Sequence, residues 1–113
     1  MDTEKIREVM EKLVENAITY TPKDHRIRVV IQLLGGRIRF EIYDEGIGIP
    51  VTEQKRVFER FFRATNASQM KTDASGLGLA IAKYYIEQHG GVIGFKSKEE
   101  EGSEFWFEIP VKN

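Results

Sequence analysis

Three groups of residues could do chemistry. The first is Asp44 with the run Glu45-Gly-Ile-Gly-Ile-Pro50 behind it. Before it, Ile38, Phe40 and Ile42 alternate with Arg37, Arg39, Glu41 and Tyr43, so the apolar set faces one side of a strand. Asp44 shares that apolar parity. A carboxylate aimed at the core is costly unless something hydrogen-bonds it, and Gly46 and Gly48 leave room for a ligand to approach the backbone. The second group is Gly76-Leu-Gly-Leu-Ala80. Glycines at the start of a helix cost stability, and they make sense where unpaired N–H groups and the helix dipole face an anion. The third is Asn16, at the edge of a helical apolar stripe, one turn after Lys12 and one turn before Tyr20. Taken alone, Asn16 also reads as an ordinary helix-surface residue.

The elements that position these groups follow from periodicity. From about Glu4 to Thr19, the residues Ile6, Val9, Met10, Leu13, Val14 and Ala17 form an amphipathic stripe. Asp2 or Thr3 can cap this helix, and Pro22 stops it. Arg26 to Leu34 alternates with Ile27, Val29, Ile31 and Leu33 on one parity, and Gly35-Gly36 joins it to Arg37–Asp44 as a two-residue hairpin. Thr52 can cap a short helix through about Arg56. Val57-Phe-Glu-Arg-Phe-Phe-Arg63 follows, in which Phe58, Phe61 and Phe62 read as core packing and Arg60 and Arg63 as a solvated face, unless a partner claims them. Ala64–Ser75 has no periodicity and reads as a mobile loop. A second helix runs from Gly76 to about His89, largely buried, and Gly90-Gly91 ends it. Val92–Ser97 and Ser103–Val111 close the chain as a hairpin across the acidic turn Lys98–Gly102, with Phe105, Phe107 and Ile109 inward. The order α-ββ-α-αββ implies an α+β two-layer sandwich, with helices on one face of an antiparallel or mixed sheet.

Composition narrows the classes. The 113 residues fit one domain, 1–113, and 41% of them are apolar, enough for a packed core. Seventeen basic against eighteen acidic residues give a net charge of -1, which argues against nucleic-acid binding through phosphate neutralisation. Without cysteine there is no disulfide, thiol nucleophile or cysteine-ligated zinc. No apolar run is long enough to span a membrane and no signal peptide is visible, so the chain reads as soluble and cytoplasmic without direct membrane contact. His25 and His89 lack neighbours at metal-site spacing; His89 reads as a charge-favourable helix end.

The order and spacing of these groups resemble the ATP-binding catalytic domain of sensor histidine kinases, in the superfamily that includes Hsp90, type II topoisomerases and MutL. Glu15-Asn-Ala-Ile-Thr-Tyr-Thr-Pro22 is similar to the N box, Asp44-Glu-Gly-Ile-Gly-Ile49 to the G1 box, Val57–Arg63 to the F box and Gly76–Lys83 to the G2 box. The F box and the Tyr-Thr-Pro ending favour histidine kinases over the other branches. The resemblance implies a Bergerat-type fold that binds ATP and Mg²⁺ and donates the γ-phosphoryl group to a histidine. Asp44 would accept a hydrogen bond from the adenine amino group, and Asn16 would be an oxygen ligand to Mg²⁺. Thr19 and Tyr20 would flank the nucleotide, while Gly46, Gly48 and Ile49 would line the base pocket. Gly76, Leu77, Gly78 and Leu79 would offer backbone N–H groups to the phosphates. Residues about 51–75 would form an ATP lid, with Arg60 or Arg63 reaching the γ-phosphate and the phenylalanines docking on the helical domain that carries the acceptor.

The resemblance also marks departures. Many members have a second Asn where this chain has Lys12, and a Lys or Arg where it has Thr19; Lys12 would then supply the cation that Thr19 lacks. Asp73-Ala74-Ser75 stands where further glycines are frequent. The family's upstream strand and helix, and the dimerisation domain with its phosphoacceptor histidine, have no counterpart in these residues, so the resemblance implies an N-terminally truncated fragment of a larger kinase. That parent, membrane-anchored or not, would add the dimerisation domain and a downstream response regulator as partners, and the fragment would transfer little phosphate alone. The alternatives are an anti-sigma-type serine kinase, a hydrolytic ATPase, or a degenerate module that binds nucleotide or a partner without catalysis.

Overall fold

The computed structural model describes residues 2–62, 64 and 77–111. The first helix, α1, spans Thr3–Tyr20, one residue longer at each end than periodicity implies. Of the two possible caps, Asp2 serves: its Oδ1 accepts the Lys5 amide at 3.2 Å, satisfying one of the donors a helix start leaves open. Ile6, Val9, Leu13 and Ala17 are its buried stripe.

Strands β1 (Ile27–Leu34) and β2 (Arg37–Asp44) form the expected hairpin. Leu34 pairs with Arg37 across the turn, and Gly35 and Gly36 both take positive φ, 53° and 84°, the geometry of a type I′ turn. A 3-10 turn covers Val51–Arg56. Pro50 rather than Thr52 precedes it, with no side-chain cap. Helix α2 (Gly78–Gln88) starts two residues later than expected, with Leu77 at its cap position. Strands β3 (Val92–Lys98) and β4 (Gly102–Pro110) follow.

The sheet order is β1-β2-β4-β3, with every pairing antiparallel. Both helices pack on one face, so the chain is an α+β two-layer sandwich. Between the layers Phe40 stacks on Phe107 with ring centroids 5.3 Å apart, and Phe95 stacks on Phe105 at 5.6 Å. Leu13, Ile42, Ile86 and Ile109 complete a fully buried centre.

Three expectations are corrected. The apolar parity of β1 faces the helix side, yet Ile31 and Leu33 are 60% and 73% exposed. The reason is placement: α1 packs on central β2, and no described element covers the edge strand. Helix α2 is less buried than its composition implies; Ala82 and Ile86 are enclosed, while Tyr84 faces solvent. His89 is a strut between helix ends. Its Nε2 accepts the Asp2 amide at 3.1 Å while Nδ1 lies 2.7 Å from the Tyr85 carbonyl, so the ring bridges the two helices rather than merely ending one. The loop expected over Ala64–Ser75 lies outside the described residues apart from Ala64, which is buried.

Candidate functional site

The C-terminal end of β2, the start of β4, the last two turns of α1 and the start of α2 enclose a small cleft. Asn16, Tyr20, Asp44, Gly48, Ile49 and Leu79, all expected from the sequence, line it together.

Asp44 ends the central strand, between Ile27 of β1 and Ser103 of β4. Its Oδ1 accepts two backbone N–H groups, from Gly46 at 2.9 Å and from Ser103 at 3.2 Å. Oδ2 has no hydrogen-bond partner among the described residues. Burial pushes the carboxyl above the usual aspartate range, and the two backbone donors only partly offset it. The result is a half-satisfied acceptor in an apolar surround, turned into the cleft.

The segment after Asp44 is fixed from several sides. The Ile47 amide donates to the Tyr20 carbonyl at 3.2 Å and the Glu100 amide to the Ile47 carbonyl at 2.7 Å. The Ile49 amide donates to Ser97 Oγ at 2.8 Å, and Gln54 Nε2 donates to the carbonyls of Ile49 and Ser97, both at 3.0 Å. Gly48 takes φ 68°, and a Cβ on it would stand 2.1 Å from the Lys98 carbonyl oxygen. Only glycine fits that approach. This wall of the cleft is therefore preorganised by backbone hydrogen bonds.

The opposite wall is suited to an anion. The first helical bond of α2 runs from the Ile81 amide to the Leu77 carbonyl at 2.9 Å, so the amides of Gly78, Leu79 and Ala80 precede it and carry the positive end of the helix dipole. Lys12 lies along this end, its Cδ 3.6 Å from the position a Cβ on Gly78 would take. Thr19 is half-buried and Arg60 exposed; neither is among the lining residues of the cleft, nor are Lys12, Gly46, Leu77 and Gly78. Arg63 and Gly76 lie outside the described residues.

Other residues line the cleft that sequence reasoning did not single out. Ser103 was hidden because β2 pairs with β4, a register set by tertiary structure. Phe105 could have been found from its inward parity. Phe62 and Ala64 follow the 3-10 turn back into the cleft, which no periodicity announces. The phenylalanines separate: Phe58 is core, edge-on to Phe95 and Phe105 at 5.8 and 6.4 Å, Phe62 lines the cleft, and Phe61 is 70% exposed.

A magnesium ion could find one protein ligand here. Among the described residues no three His, Cys, Asp or Glu side chains come together, so no all-protein cage is built. The single amide oxygen of Asn16 matches a hard cation that keeps its waters and is held mainly by phosphates. No helix among the described residues is long and apolar enough to cross a membrane.

Comparison with known proteins bears on this arrangement. The family model for histidine kinase-, DNA gyrase B- and HSP90-like ATPases matches residues 1–113. The sensory/regulatory protein RpfC of Xanthomonas campestris is 39% identical over 97% of this chain and 16% of its own length. The sensor-like histidine kinase SenX3 of Mycobacterium tuberculosis is 42% identical over 90% of this chain and 25% of its own. The chain thus spans a quarter or less of these two relatives. Among solved structures, the mycobacterial sensor histidine kinase MprB superposes with a TM-score of 0.85 at 31% identity, covering 97% of this chain and 74% of that one. The catalytic domain of histidine kinase ThkA gives 0.79 at 34%, covering 96% and 68%. This chain belongs to the histidine kinase-, DNA gyrase B- and HSP90-like ATPase family, and within it to the ATP-binding catalytic domains of sensor histidine kinases.

Proposed function

We propose that the cleft binds Mg²⁺-ATP and that the domain donates the γ-phosphoryl group to a histidine on a separate helical dimerisation domain of the same kinase, for relay to a response regulator. The half-satisfied Asp44 carboxylate carries this reading. With Oδ1 held by Gly46 and Ser103, Oδ2 is left to accept the exocyclic amino group of adenine. Guanine presents a carbonyl oxygen at that position and would face the carboxylate with its lone pairs. Support also comes from the solved full-length ShkA in complex with AMPPNP, an ATP analogue, which superposes with a TM-score of 0.76 at 31% identity and covers 94% of this chain and 21% of that one.

Tyr20, Gly48 and Ile49 would pack on the base, and the phosphates would run toward the free amides of α2 past Asn16. Mg²⁺ would neutralise charge on the phosphates, with Asn16 as its protein ligand. In the transfer, a ring nitrogen of the acceptor histidine bonds to the γ-phosphorus as the bond to the β–γ bridging oxygen breaks. ADP leaves with that electron pair, and the imidazole sheds a proton. The protein's contribution is positioning and charge stabilisation, with Arg60 or Arg63 supplying positive charge at the γ-phosphate. Exposed Phe61 would meet the acceptor domain. The parent works on the cytoplasmic side, with any membrane anchor elsewhere in it.

Incubating the domain and labelled ATP with the separate dimerisation domain tests this. The expected product is acid-labile, base-stable phosphohistidine on the acceptor, with little label on the domain itself. Acid-stable phosphoserine, or ATP turnover without transfer, would contradict it.

A further inference from the structure

We propose that Lys12 is a polyphosphate-binding cation of this domain and sets its preference for nucleotides with two or more phosphates. The inference rests on the ATP-binding reading above and adds a residue to it.

Lys12, Asn16 and Thr19 recur at helical spacing on one face of α1. Asn16 is in the cleft, and Thr19 brings no charge there. Lys12 could have paired with Glu8 or Glu15, one turn away on its own helix. It is in no ion pair among the described residues. Its stem crosses instead to α2 and packs at Gly78, and the side chain is half-buried. Such a stem lies on apolar surface while its ammonium reaches for solvent or a counter-charge. Here the stem lies against the start of α2, where the amides of Gly78, Leu79 and Ala80 already favour an anion. The other nearby lysine, Lys83, is committed elsewhere, with Nζ 5.6 Å above the Phe58 ring. Among the described residues Lys12 therefore brings a lysine stem from the helix face that carries Asn16 to the anion-binding start of α2. Phosphates of a bound nucleotide would give it a counter-charge there.

The test is calorimetry with ATP, ADP and AMP on the wild type and on Lys12→Met, which keeps the stem on Gly78 and removes only the charge. The expected result is a loss of about tenfold or more in ATP and ADP affinity, with AMP affinity changed less than about twofold. Lys12→Arg should retain ATP binding, and Thr19→Lys added to Lys12→Met should restore most of it from the same helix face. Lys12→Met binding ATP within about twofold of wild type would overturn the proposal, as would an equal loss for AMP, the mark of a purely structural role. A folded wild type that binds no ATP would sink the nucleotide reading itself, so the two failures are distinguishable.

Discussion

The backbone N–H of Ser103 donates to Asp44 Oδ1 at 3.2 Å, joining the ends of the two central strands at the floor of the cleft. Together with the Gly46 amide it saturates one carboxylate oxygen and orients the other, so the sheet itself aims the recognition group.

Because burial raises the Asp44 carboxyl above its ordinary range, its charge is unfavourable in the apo fold. Protonation therefore favours the folded state: the contribution of Asp44 to stability is fullest below its unfolded-state pKa and is lost as pH rises through the raised folded-state value. Asp44→Asn should melt no lower than wild type at neutral pH while ATP binding is lost. The same shift predicts that ATP affinity declines on acidification at a higher pH than an ordinary aspartate would dictate, since adenine needs the ionised acceptor. Melting curves and calorimetry across pH check both. A variant several degrees less stable would show that the charge is well accommodated.

Gly48 should not tolerate a side chain. Gly48→Ala places a methyl against the Lys98 carbonyl and forces an alanine to φ 68°, which costs on the order of 1–3 kcal/mol and displaces the cleft wall. Reduced stability together with reduced ATP affinity is expected, measured by denaturant titration and calorimetry.

Phe107, fully buried and stacked on Phe40, is the centre of the core. Phe107→Ala should cost about 3–5 kcal/mol, a large part of the total for a domain of this size, and chemical denaturation would read the loss directly.

Phe58 and Phe61 should behave differently despite their shared motif. Phe58→Ala should lower Tm because it vacates the edge-on contacts with Phe95 and Phe105. Phe61→Ala, at an exposed position, should leave Tm and ATP affinity unchanged and slow phosphoryl transfer to the separate acceptor domain.

Much of this was legible from residue pattern. The hairpin at Gly35-Gly36, the parity that turns Asp44 inward and the stripe of α1 follow from local periodicity, which reports faces directly. The exposure of Ile31 and Leu33 was not legible, because parity tells which face a side chain takes and not whether anything covers it. Likewise Ser103 enters the site through the pairing of β2 with β4, strands far apart in the chain. The exposure of Tyr84 was not legible either, because an apolar composition all round a helix does not say which sides meet a neighbour. Gln54, which clamps Ile49 and Ser97, gave no signal at all, since a glutamine in a short polar turn usually faces water.

The most direct measurement is calorimetric titration of this chain with ATP and GTP in the presence of Mg²⁺, beside Asp44→Asn. The account predicts ATP binding that GTP does not match and that the variant loses. Equal binding of ATP and GTP, or ATP affinity that survives in Asp44→Asn, would contradict the assignment of Asp44 as the adenine-reading group.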